Sequence, residues 1–90
     1  MTEPELASLD ARRRRLLYRA THRGTYETDI LLGGFVQRRI ATFPESELDA
    51  LEALLELSDN DLADWITGRR PITPALDTPL FRRIRDAAGR

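Results

Sequence analysis

The chain has no cysteine and no lysine, and its 90 residues include one histidine, one tryptophan and one methionine. Without cysteine there is no disulfide framework and no thiolate chemistry. His22 alone cannot build a histidine-based metal centre, and the acidic residues lack the Asp-Gly loop pattern of a calcium site. No apolar run approaches the ~20 residues of a membrane span, so no membrane insertion is expected. The acidic opening Met1-Thr2-Glu3-Pro4-Glu5 reads as neither a secretory signal nor a transit peptide, which points to the cytoplasm. No stretch alternates strictly or carries a β-branched run, so no sheet is expected. No nucleophile has an obvious base and no phosphate loop is present. The one acid pair that could serve an enzyme is Glu27 with Asp29, and residues at that separation on a helix point to different sides. The chain reads as a non-enzyme with no catalytic residues and no metal.

What it has in quantity is arginine: all 14 basic residues are Arg, each able to make planar, bidentate contacts. The charge is segregated. Residues 11–40 hold eight arginines against Glu27 and Asp29, a net +6, whereas residues 45–64 hold eight acids and no base, a net −8. Two readings are open: the halves neutralise each other within one fold, or the basic half meets a charged partner.

Ninety residues make one small domain, 1–90, with 1–7 and 87–90 expected to fray. Apolar spacing is helical throughout. A first helix spans about residues 8–22, with Ser8 as cap and Leu9, Leu16, Leu17 and Ala20 on one stripe. A second runs from Gly24 to Ala41, with Thr28, Leu31, Leu32, Phe35 and Ile40 on one side. Gly33-Gly34 weakens it and would let another helix approach. After Phe43-Pro44, Ser46 and Asp49 have capping-box spacing, and Leu48, Leu51, Leu54, Leu55 and Leu57 form an apolar face. Ser58 and Asp61 repeat that spacing and open a helix from Asp59 to Thr67, with Leu62, Trp65 and Ile66 inward and Gly68 as its stop. A connection from Arg69 to Thr78 leads to a last helix opened by Thr78-Pro79, with Leu80, Phe81, Ile84 and Ala88 as its apolar side. The expected fold is all-α, a compact bundle of five short helices.

The segment His22-Arg23-Gly24-Thr25-Tyr26-Glu27-Thr28-Asp29 is the least explained by folding rules. Arg23 stands at a helix mouth, against the dipole, and Gly24 costs a helix roughly 0.5–1 kcal/mol relative to Ala. As a contact site, Arg23 and Glu27 would share a helix face while Gly24 lets a partner backbone approach. The plainer reading is an intrahelical Arg–Glu pair beside a solvated glycine. The run Arg12-Arg13-Arg14-Arg15 could neutralise phosphates, but four successive arginines cannot face one way and no aromatic residues interleave. Residues 57–71 mimic part of a helix-turn-helix, yet the would-be reading end is Asp59-Asn60-Asp61, which DNA would repel. Trp65 and Tyr18 read as core or half-core aromatics.

Leu16-Leu17-Tyr18-Arg19, Arg23-Gly24-x-x-Glu27-x-Asp29 and Leu31-Leu32-Gly33-x-Phe35, followed by Leu54-Leu55, Asp59-x-Asp61-Leu62-x-x-Trp65 and Gly68, closely resemble the flavinylation assembly factors of succinate dehydrogenase. The likeness covers roughly residues 11–85. Thr25 stands where family members often have Met, and Gly34 where a bulkier, often basic residue is common. The resemblance implies five helices and a chaperone-like role: binding the flavoprotein subunit of succinate dehydrogenase, with fumarate reductase a further candidate, and promoting covalent attachment of FAD. FAD is then the partner's cofactor, and the chain has none of its own. The family's patch transfers to Arg23, Gly24 and Glu27, with Asp29 close by and Tyr26 and Arg19 adjoining. A monomer that binds no nucleic acid is expected. The alternative is a small nucleic-acid-binding or antitoxin-like regulator using the basic N-terminal half.

Overall fold

Leucine spacing and the residues that open the helices set the architecture. The computed structural model describes residues 6–89, so the expected fraying at 1–5 and 90 lies outside the described residues. Helix α1 is Ala11–Thr21. Helix α2 comprises the consecutive segments Tyr26–Thr28, Asp29–Gly33 and Gly34–Arg39, the middle one a π-helical turn, and ends in a 3-10 turn, Ile40–Thr42. Helices α3 (Glu45–Leu55) and α4 (Asp59–Ile66) follow, then a 3-10 turn, Pro74–Leu76, and α5 (Pro79–Ala88). The described residues contain these five helices and no strand, as the apolar spacing requires. None of the helices is long and apolar enough to cross a membrane.

Two caps follow the sequence. The Ser58 hydroxyl accepts from the Asp61 amide, and the Thr78 hydroxyl accepts from the Phe81 amide with Pro79 at the first helical position. Two do not. Helix α1 begins at Ala11, capped by Asp10, whose carboxylate accepts from the Arg13 amide at 2.8 Å and pairs with the Arg13 guanidinium at 2.5 Å. That double engagement outcompetes a start near Ser8. Helix α3 is capped by Pro44, whose carbonyl accepts from Glu47 and Leu48, so Ser46 lies inside the first turn and the Ser46–Asp49 capping box does not form.

The core draws on every helix: Leu16, Leu17 and Ala20 of α1, Leu32, Phe35 and Val36 of α2, Leu51, Leu54 and Leu55 of α3, Leu62 and Trp65 of α4, and Leu80, Phe81 and Ile84 of α5 are buried. Fully burying each Leu, Ile or Phe contributes about 1.5–3 kcal/mol, which is how so short a chain holds a fold. Trp65 takes its expected core place, whereas Tyr18 does not: it is 63% exposed. Gly33 is where α1 and α2 meet, since a Cβ there would lie 2.8 Å from the Ala20 carbonyl. Gly34 has no such role; its Cβ would meet only the Arg38 guanidinium, at 3.5 Å.

Within this frame the opposite charges neutralise each other in part. Arg12 reaches Glu45 and Asp49 at 2.6 Å, and Arg19 reaches Glu56 at 2.8 Å. Arg13 turns inward instead, donating to the carbonyls of Ile40 and Phe43 at the end of α2. There its planar fork satisfies carbonyls that the helix leaves open.

Candidate functional site

The loop between α1 and α2 is held from three directions. Arg23 is not on a helix, and its side chain is only 12% exposed. It crosses to the corner between α3 and α4, where Nε donates to Asp59 Oδ1 at 2.5 Å, Nη1 to the Leu55 carbonyl at 3.0 Å and Nη2 to the Leu57 carbonyl. One guanidinium thus caps the end of α3 and pairs with the first residue of α4. Thr25 Oγ1 donates to the other Asp59 oxygen at 2.9 Å. The Arg23 bond, aided by Thr25 and opposed by burial, holds the Asp59 carboxyl below its ordinary range. From the α2 side, Asp29 accepts from the Arg23 amide at 3.0 Å.

This corrects the expectation that Arg23 and Glu27 share a helix face, and equally the intrahelical Arg–Glu pair. It also moves the start of α2 past Gly24, which is a solvated loop glycine. Gly24 lies before the helix at φ +89°, a left-handed conformation that other residues resist, and nothing approaches within 4 Å of where its Cβ would stand. Its backbone is therefore bare and exposed because the turn demands glycine.

Beyond Gly24 the helix presents Tyr26, 82% exposed, and one turn on Ile30, 50% exposed. Glu27, half-exposed, faces Arg69 from the segment after α4, with oxygen–nitrogen distances of 3.3 and 3.4 Å; Arg69 also lies 3.5 Å from Asp64. These long, solvent-exposed contacts are weak and exchangeable. Arg70 is held more firmly, by Asp64 at 2.9 Å and Asp61 at 2.5 Å, with its guanidinium 5.5 Å from the Trp65 ring centre.

The structure therefore brings together Gly24, Tyr26 and Glu27 at the surface, with Arg23 and Asp29 supporting them from beneath. Arg19 sits apart, engaged by Glu56. Ile30 and Arg69 join the surface without having been singled out in the sequence. Ile30 falls outside the apolar side read for this helix, and Arg69 becomes a neighbour of Glu27 only through the fold. Bare backbone, an aromatic ring and a loosely held carboxylate can together grip another polypeptide. Among the described residues no group of three or more His, Asp or Glu is placed to hold a metal ion.

A small helical frame with such a surface has the features of a binding module rather than of a catalyst. The chain belongs to the flavinator of succinate dehydrogenase family, whose model matches residues 14–88. It is 51% identical over 77 residues to the FAD assembly factor SdhE of Acetobacter pasteurianus, covering 86% of this chain and 71% of that one. It is 39% identical over 70 residues to mitochondrial succinate dehydrogenase assembly factor 2 of Debaryomyces hansenii, covering 78% of this chain and 49% of the relative. Against the Dictyostelium discoideum protein of the same name it is 30% identical over 80 residues, 89% and 57% of the two chains. The chain thus spans about half the length of these mitochondrial relatives. These names describe assembly factors rather than catalysts, and they favour flavinylation over the nucleic-acid alternative.

Proposed function

We propose that this protein is an assembly factor that docks on the flavoprotein subunit of succinate dehydrogenase in the cytoplasm, as a monomer, and promotes covalent attachment of FAD there. The flavin and the residue that receives it belong to the partner; this chain contributes geometry. One observation carries the reading: Arg23 ties the α1–α2 loop to the α3–α4 corner so that the bare Gly24 backbone, Tyr26 and Glu27 stand together on a fixed surface. A rigid surface loses little freedom on binding, and holding reacting groups in line is worth several kcal/mol. A clamp without chemistry of its own therefore suffices.

In this reading Gly24 admits the partner's backbone, Glu27 exchanges its weak contact with Arg69 for a donor on the partner, and Tyr26 supplies contact area. Arg23 and Asp29 fix the loop. Arg19, at the edge, helps steer the encounter, an effect that weakens with salt. In-gel flavin fluorescence of the flavoprotein subunit, in cells with and without this gene, tests the proposal. Loss of the fluorescent band without the gene, restored by wild-type protein and not by Glu27→Ala, is the expected result. An unchanged band in its absence would refute the reading.

A further inference from the structure

The outer face of α1 carries a groove that the docking site does not use. Leu6, Leu17 and Tyr18 line it together with Arg14, His22 and Gln37, and its volume is about 400 Å³. Tyr18, 63% exposed, stacks on His22 with ring centres 4.0 Å apart and planes 13° from parallel, so the ring is held in place while its outer side stays in solvent. An ordered, exposed aromatic beside a leucine-lined hollow is a preformed seat for a bulky apolar side chain.

Charge sets this groove apart from the rest of α1. Arg12, Arg13 and Arg19 all have acidic partners within the chain. Arg14 lines the groove, and among the described residues no acid pairs with it. The same holds for its neighbour Arg15 and for Arg38, which follows Gln37 and whose guanidinium lies over Gly34. Arg14 is the arginine that lines this hollow, and the fold leaves it without an acid among the described residues.

His22, at one end of the lining, directly precedes Arg23 and Gly24, while Arg14 lies two helical turns back, about 12 Å away along the axis. A polypeptide that crosses the bare Gly24 backbone can therefore continue into the groove and finish at the unpaired Arg14.

We propose that this groove is a second docking surface for the flavoprotein, accepting an acidic segment that inserts a bulky apolar side chain beside Tyr18 and places its carboxylates on Arg14. This deepens the function proposed above and rests on it. The test is binding of full-length protein to the purified apo-flavoprotein, using Arg14→Glu, Tyr18→Ala, Glu27→Ala and the charge-matched control Arg85→Glu on α5. Arg14 and Tyr18 are exposed, so the variants should melt like wild type. The expected result is about tenfold weaker binding for Arg14→Glu and for Tyr18→Ala, with the Arg14→Glu loss shrinking as salt rises and Arg85→Glu unchanged. Wild-type affinity in both groove variants, with binding lost in Glu27→Ala, would overturn the groove and leave the docking site intact. Wild-type affinity in Glu27→Ala as well would overturn the docking site itself. If Arg14→Glu instead abolishes a dimer seen by sedimentation, or binding of RNA or anionic vesicles, while the flavoprotein still binds, the groove has a different occupant and the proposal fails.

Discussion

Arg23 and Asp59, distant in sequence, meet at 2.5 Å between Nε and Oδ1, and the same guanidinium covers the open carbonyls of Leu55 and Leu57. A residue that reads as a docking cation is therefore the fastening of the α3–α4 corner. The proposed docking surface and stability are coupled at this residue, and substitutions at Arg23 and Glu27 separate the two.

Arg23→Ala should destabilise the fold by about 2–3 kcal/mol, because it strands a half-buried carboxylate and two carbonyls. Urea unfolding measures this. Arg23→Lys should recover only part of the loss, since an ammonium cannot serve all three acceptors with the geometry of a planar fork. Wild-type stability in Arg23→Ala would contradict the capping role.

Stability should fall as the solution is acidified, and Asp59 should account for part of the fall. Its folded pKa lies below the ordinary 3.8. Its contribution is therefore fully present above the unfolded value and lost as pH drops through the folded one. Asp10, Asp61 and Asp77 are shifted in the same direction by their arginine partners, so they share the acid limb. Asp59→Asn should be less stable near neutrality and show a shallower decline of the urea midpoint below about pH 4.

Three glycines should respond differently to alanine. Gly33→Ala places a methyl 2.8 Å from the Ala20 carbonyl and should cost about 1–3 kcal/mol. Gly24→Ala meets no atom but must hold φ +89°, at a cost of about 1–2 kcal/mol. Gly34→Ala keeps a helical backbone with only ordinary contact to Arg38 and should stabilise by about 0.5–1 kcal/mol. Thermal melts of the three variants give the ranking directly.

Glu27→Ala should leave the melting temperature almost unchanged, because its contact with Arg69 is long and exposed. Covalent flavin on the partner should nevertheless fall sharply. A large drop in melting temperature would make Glu27 a structural residue and remove it from the docking surface.

Much of the fold was legible because it is local. Leucine spacing marks α3, Ser58 and Thr78-Pro79 mark helix starts, and Gly68 ends the α4 segment at φ +81°. Local spacing misplaces a helix start where two signals compete, as at Ser8 and Asp10, or where proline takes over a cap, as at Pro44. At the site, exposure of Tyr26 and Glu27 is consistent with the motif, but the burial of Arg23 was not readable. Its partners lie on α3 and α4, and nothing in the spacing of residues 22–29 indicates them. Arg69 was hidden for the same reason.

The π-helical turn Asp29–Gly33 has a consequence for phase. It packs an additional residue into one turn, so the sides of α2 before and after it are out of step with a regular helix. Tyr26 before this irregularity and Ile30 within it face water, while Phe35 and Ile40 stay buried beyond it. Deleting a single residue there would let the turn close as an ordinary α turn with both ends facing as they do now. Deleting one from the regular segment Gly34–Arg39 would instead rotate the exposed end against the buried end by about 100°. The helix would survive, but its recognition surface would point elsewhere.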